Sequence, residues 1–184
     1  MIVTPTELAG VMMIEPVVYA DSRGQFLEMW RSDTYGAQVT GLPFVQDNVS
    51  VSRKGTIRGL HFQHPGGQGK LIAVLSGAVS DVVLDVRRGS PTFGRCFVLE
   101  MSAENARQLW IPPGFAHGFQ ALTDDAVVLY KVTSPYAPAS ERTVSAQDPD
   151  LAIVWPVPVT AMSPKDAAAP RLRDLPADQL PAMP

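Results

Sequence analysis

The stretch Arg58-Gly-Leu-His-Phe-Gln63 sets a histidine in the middle of an apolar run, in a chain that has only three histidines. A neutral imidazole is a competent general base near neutral pH, because its unperturbed pKa is about 6.5. Other polar side chains recur in the same setting: Arg58, Lys70, Asp81, Asp85, His117 and Tyr130 all lie within or beside apolar runs. Burying a charge without a partner costs several kcal/mol. A set this large therefore points to a cavity where several strands bring these groups together. For any one of them taken alone, the plainer expectation is that strand alternation turns it out to solvent.

Alternation also imposes a condition. Arg58 and His61 are three apart, so on a regular strand they face opposite ways. Gly59 offers a way round, because a glycine within a strand often marks a bulge that adds a residue and re-aims its neighbours. The sequence thus predicts a bulge at Gly59 if both side chains serve one site, whereas regular pairing would remove Arg58 from it. The same parity argues against a metal centre. His61 and His64 are the nearest candidates, but their spacing points them apart and no His-x-His pair exists. His64 precedes Pro65 and a GGQG loop, which predicts an exposed turn histidine. The single cysteine, Cys96, cannot form an internal disulfide and sits in the apolar run CFVL, the setting of an inert buried thiol.

The elements that must position these groups are predominantly strands. The 184 residues, 46% of them hydrophobic, suit one domain with a sizeable core. The apolar runs are short, rich in valine and bounded by Gly, Pro, Asp and Ser. They predict strands near residues 11–19, 25–31, 43–52, 56–63, 69–76, 78–87, 94–101, 107–111, 117–123 and 126–133. Helix is confined to a short piece in SDTYGAQV, with Ser32 as its cap and an acid in its first turn, and a second opening near Ser163. So many close-spaced strands must hide their edges, which predicts an all-β jelly-roll barrel or sandwich with short peripheral helices. A Pro- and Ala-rich segment from about residue 157 to 184 is expected to wrap over it as part of the same domain. A net charge of −3 with interleaved signs offers no broad basic face for nucleic acid. No apolar run is long enough to span a bilayer and no secretory signal pattern opens the chain, so a cytoplasmic protein is expected.

Nine segments, in order, carry a family resemblance over nearly the whole chain: DSRGQFLE, FVQDNVSVS, RGLHFQ, GKL, DVVLDVRRGSPTFG, MSAENARQLWIPPGFAHGF, LYK, SPYAPASE and SPKDAAAP. Any one alone is weak, and their joint order is specific. The sequence resembles the dTDP-4-dehydrorhamnose 3,5-epimerases, cupin-like jelly rolls of deoxysugar (dTDP-rhamnose) biosynthesis. That resemblance implies inversion of C3 and C5 of a dTDP-4-keto-6-deoxysugar without a metal or redox cofactor. Each proton removed lies next to the C4 ketone and leaves an enolate that must be stabilised as it forms. Inversion needs the new proton on the opposite face of the ring, so base and acid must flank the sugar.

Carried over residue by residue, the resemblance implies His61 as the base and Asp166 of SPKD as the carboxylate on its other ring nitrogen. Tyr130 of LYK becomes the proton donor on the far face, and Lys70 the cation near the C4 oxygen. It implies Arg58 and Arg23 as substrate-binding arginines suited to phosphate, since a guanidinium can donate two parallel bonds. Glu28, Gln46, Asp47, Asn48, His117, Tyr136, Glu141 and Lys165 fall on family binding positions as well. It further implies a homodimer that exchanges amino-terminal strands, so that Arg23 and Glu28 serve the partner's site.

Two segments depart from the family pattern. SPYAP has Pro135 where the family commonly has the first of two adjacent tyrosines, removing a ring suited to stacking on a nucleotide base. SAQDPD replaces a usual Trp-Asn-Asp. Neither touches the acid, the base or the cation. An epimerase acting at one carbon alone carries the same motifs, and a cupin-like binder of nucleotide sugars is the reading from a different class.

Overall fold

The computed structural model describes residues 1–183. Thirteen strands and two short helices run in the order β1 (Ile2–Pro5), β2 (Met12–Glu15), β3 (Val18–Asp21), β4 (Gly24–Leu27), α1 (Ser32–Gln38), β5 (Gln46–Ser52), β6 (Ile57–Gln63), β7 (Lys70–Ser76), β8 (Ala78–Asp85), β9 (Cys96–Ser102), β10 (Gln108–Ile111), β11 (Phe115–Ala121), β12 (Ala126–Val132), β13 (Glu141–Thr143) and α2 (Pro164–Ala167). They form a six-stranded sheet, β1-β2-β10-β7-β12-β5, and a five-stranded sheet, β13-β6-β11-β8-β9, while β3 and β4 pair only with each other. All named pairings are antiparallel. The two large sheets face one another as a jelly-roll sandwich, with Ile72, Val74, Leu109, Ile111 and Val128 of one packed on Val79, Val83, Met101, Phe115 and Phe119 of the other.

A strand has two faces, and here both faces of the five-stranded sheet are covered. Its outer face presents Ile57, Leu60, Phe62, Val82, Leu84 and Ala116, which pack with Val144, Ala146, Leu151, Leu172 and Leu180 from the carboxy-terminal third. That segment is stitched down by backbone bonds between Thr160 and Gly55, Ser145 and Pro170, and Arg88 and Pro181. Buried Gln120 adds a clamp, donating to the Val157 carbonyl and accepting from its N–H. On the outer face of the six-stranded sheet, Ile14, Leu71 and Trp110 pack under Tyr35 of α1. No described helix is long and apolar enough to cross a membrane.

Several expected boundaries shift. The strand expected over 11–19 is two strands separated at Pro16 and Val17, since proline withholds a donor from the ladder. The one expected over 25–31 ends at Leu27, and the one expected over 117–123 starts at Phe115. β1 and β13 are additional short edge strands. Helix α1 forms where expected, but Ser32 is its first helical residue and Arg31, with no side-chain cap bond, is its N-cap. α2 is capped by Ser163, whose hydroxyl accepts from the Asp166 N–H.

Candidate active site

A pocket of about 140 Å³ is lined from both sheets. The five-stranded sheet contributes Arg58 and His61 from β6, His117 from β11 and Glu141 from β13; the six-stranded sheet contributes Asn48, Lys70 and Tyr130 from β5, β7 and β12. Directly opposed residues share a sheet face. Tyr130 opposes Asn48 on one side and Ile72 on the other, which puts it on the core side two residues along from the Lys70 register.

The predicted bulge is present. On β11, His117 pairs with His61 and Phe119 with Arg58, so three steps on β6 match two on β11. Gly59 adopts φ 117°, and a Cβ there would meet the Gly118 Cα at 2.6 Å and the His117 carbonyl oxygen at 2.7 Å. Only glycine fits this backbone and this close approach. Arg58 and His61 consequently both line the pocket, with the Arg58 Nε donating to the Ser52 hydroxyl at 2.9 Å.

The bulge also prepares the carboxylate that faces His61. The His61 Nε2 lies 2.6 Å from the Asp166 Oδ1, while the Gly59 N–H donates to Oδ2 at 3.4 Å. Asp166 is buried at the first turn of α2. Burial raises its carboxyl, and the bond and charge of His61 with the Gly59 and Ser163 donors more than reverse this, leaving it below the ordinary value. With the Nε2 proton donated to Asp166, Nδ1 is the ring nitrogen left with a free lone pair.

Lys70 is buried, and its Nζ donates to the His61 carbonyl at 3.0 Å. Burial pulls its ammonium down to about 8, opposed by the negative charges of Asp81 and Glu141. Tyr130, 3.3 Å from the Ser50 hydroxyl, has its phenol pushed well above the usual value by burial. At neutral pH it therefore holds its proton.

Asp81 is the residue that sequence reasoning left without a role. On β8 it opposes Phe119 of β11, has no exposed surface, and accepts from the His117 Nε2 at 2.8 Å through Oδ2. Its Oδ1 is buried without a hydrogen-bond partner among the described residues. Its charge acts on both Lys70 and Tyr130. The only signal in the sequence was an acid inside the apolar run DVVL, which carries no information about what it faces. Ser50, beside the Tyr130 phenol, and Gln68, in the pocket wall, carried no sign in the sequence of these contacts.

At the rim, Glu141 accepts from the Tyr136 phenol at 2.8 Å and pairs with Lys165 at 2.7 Å. Burial raises its carboxyl, and these two partners more than offset that, leaving it lowered. Gln46 bonds Asn48 and the Tyr136 N–H.

Three expected binding residues lie elsewhere in the subunit. Asp47, between Gln46 and Asn48, faces the opposite side of β5 and pairs there with Lys131 at 2.8 Å. Alternation alone dictates this. Arg23 sits at the exposed tip of the β3–β4 hairpin, paired with Asp21 at 2.6 Å, and Glu28 follows that hairpin, 3.3 Å from Arg31. His64 is half-buried rather than exposed. Cys96 is half-buried, and burial pushes its thiol up to about 12, so it stays protonated. Among the described residues no three His, Cys, Asp or Glu side chains form a metal-ligand cluster.

The chain is similar to known proteins over most of its length. The family model of dTDP-4-dehydrorhamnose 3,5-epimerase matches residues 5–174. A dTDP-4-dehydrorhamnose 3,5-epimerase of Salmonella typhimurium is 47% identical over 178 residues, covering 94% of this chain and 96% of that relative. A dTDP-6-deoxy-D-glucose-3,5-epimerase of Legionella pneumophila, solved with dTDP-4-keto-L-rhamnose, superposes with a TM-score of 0.96 at 46% identity over 99% of this chain and 98% of that one. A 3'-monoepimerase of Streptomyces bikiniensis, solved with dTDP-quinovose, superposes with a TM-score of 0.88 at 40% identity, over 97% and 92%. With a family match over most of its length and near-complete structural overlap, this chain belongs to the dTDP-4-dehydrorhamnose 3,5-epimerase family of isomerases.

Proposed function

We propose that the protein inverts C3 and C5 of dTDP-4-dehydro-6-deoxyglucose through enolates, with His61 as base and Tyr130 as acid. The observation that carries this reading is their placement on opposing sheets around one small pocket, His61 from β6 and Tyr130 from β12. A sugar ring between them has one face toward each, as inversion requires. Nδ1 of His61 takes the proton at C3, and Asp166 stabilises the imidazolium that forms. The electron pair moves to the C4 oxygen, where the Lys70 ammonium stabilises the developing charge. The Tyr130 phenol then delivers a proton to the far face. Exchange with water restores both groups, and the same sequence repeats at C5. Asp81 holds the His117 ring and, as a buried negative charge, favours the protonated state of Lys70.

A pocket of about 140 Å³ is smaller than the roughly 300–1,000 Å³ that enclose a drug-sized ligand. The diphosphate and base of the nucleotide therefore lie over the rim, near Arg58, Asn48, Tyr136 and Lys165. The β3–β4 hairpin exposes Tyr19 (64%) and Phe26 (72%) and pairs with no other strand, which supports its reading as an arm reaching a two-fold partner. Arg23 and Glu28 complete binding across that interface. Mixing Arg23→Ala with His61→Asn subunits, each inactive alone, restores activity if the arms are exchanged, and restores none if each subunit is self-sufficient.

Reaction of dTDP-4-keto-6-deoxyglucose in heavy water tests the chemistry. Enzyme-dependent deuterium at both C3 and C5 is expected, with loss of about 10³-fold or more in His61→Asn and Tyr130→Phe. Similarity to a 3'-monoepimerase favours a second reading, inversion at one carbon, for which deuterium would appear at that carbon alone. Binding of substrate without any exchange would leave a nucleotide-sugar binder.

A further inference from the structure

The loop after β12 carries Tyr136 to the rim, and its backbone is held by glutamine side chains rather than by a strand. Gln63, the last residue of β6, is buried at 7% exposure and uses both atoms of its amide. Its Oε1 accepts from the Ala137 N–H at 2.8 Å, and its Nε2 donates to the Pro135 carbonyl at 3.3 Å. The two bonds bracket a single residue, Tyr136, whose own N–H donates to the Gln46 Oε1 at 3.1 Å. Directly opposite Gln63 on β13 stands Glu141, which accepts from the Tyr136 phenol. One cross-strand pair thus grips the backbone of Tyr136 with one member and its ring with the other.

The ends of the loop are fastened independently. Gln68 donates to the Ser134 carbonyl at 2.7 Å, the Ser134 hydroxyl donates to the Gly67 carbonyl at 3.1 Å, and the His64 N–H donates to the Ser140 carbonyl at 2.8 Å. Removing the Gln63 amide leaves these anchors intact and frees only the centre of the loop. Pro135 sharpens the dependence, because it has no N–H to donate.

We propose that Gln63 is a positioning residue for nucleotide binding, acting through Tyr136 and not through the reacting carbons. The proposal rests on the reading of Tyr136 as a nucleotide-contacting residue. Gln63 touches neither the base nor the acid, so its loss changes affinity and spares turnover.

The test is a double-mutant cycle on dTDP binding, measured by calorimetry, with steady-state kinetics alongside. Gln63→Leu removes both bonds at similar volume. Loss of the two bonds is expected to weaken dTDP binding at least about fivefold, with a matching rise in KM. The kcat and the deuterium exchange rate at saturation stay within about twofold of the parent. In a Tyr136→Ala background, Gln63→Leu adds less than about twofold, because the residue it positions is gone. Additive losses, or a fall in kcat with dTDP affinity unchanged, would overturn the proposal. Unchanged dTDP affinity in Tyr136→Ala would overturn the reading of Tyr136 and the proposal with it. Weakened binding in Tyr136→Ala but not in Gln63→Leu overturns the positioning role alone. Should Gln63→Leu fail to fold, the same cycle is run with Gln63→Glu, which keeps the acceptor for Ala137 and loses the donor to Pro135.

Discussion

Asp81 and Asp85 stand four residues apart on β8, on the same face, both without exposed surface, and their surroundings differ in kind. Asp85 accepts five hydrogen bonds: the Arg87 N–H, Nε and Nη2, the Ser90 hydroxyl and the Thr92 hydroxyl. The Arg87 guanidinium that grips it also lies 4.1 Å from the Phe115 ring centroid. Burial raises this carboxyl, and the bonds overwhelm that to leave it at about 2. Asp81 accepts from His117 through one oxygen, and its other oxygen has no hydrogen-bond partner among the described residues. A saturated carboxylate pins a loop, here the turn between β8 and β9. An unsaturated one keeps its charge available to neighbours, here Lys70 and Tyr130.

Substitution at the two positions should separate stability from activity. Asp85→Asn is expected to cost about 3–5 kcal/mol of unfolding free energy, because it leaves the buried Arg87 without a counter-charge. The folded fraction should retain its specific activity, as denaturant titration and kinetics on one preparation would show. Asp81→Asn should do the reverse, lowering kcat/KM about 100-fold, or roughly 2.7 kcal/mol, with the unfolding midpoint nearly unchanged. Equal stability losses at both sites would break the contrast.

The pH profile sharpens it further. Lys70 at about 8 is protonated below that pH and loses its charge above it, so kcat/KM should fall as pH rises through about 8. Asp81 is one of the charges holding that ammonium up. Asp81→Asn should therefore move the alkaline limb to lower pH, while Asp85→Asn leaves it in place. The smallest effect is expected at the rim, where the Glu141–Lys165 pair is partly exposed. Lys165→Met should change stability by less than about 1 kcal/mol and act on KM instead.

How far the site could be read in advance varies residue by residue. His61 was marked by its position in an apolar run, and the parity conflict with Arg58 foretold the bulge at Gly59, because side-chain alternation is a property of the backbone. The same parity, applied to Gln46, Asp47 and Asn48, assigns Asp47 to the far face, and the structure places it there against Lys131. Asp166 entered through resemblance; nothing in its local sequence points to a histidine 105 positions earlier. Gln63 looked like the end of a strand, and its amide acquired a task only when β13 and the loop after β12 came alongside.

Strand content, the apolar faces and the conflict that Gly59 resolves were determined by the sequence itself, since they follow from the two-residue period of extended chain. Sheet order and register were decided only by tertiary structure. These set His117 against Asp81 and put His61 and Tyr130 on opposite walls. The physical reason is that local periodicity is settled by steric rules within a few residues, whereas the partner of a buried charge depends on which distant strands share a face.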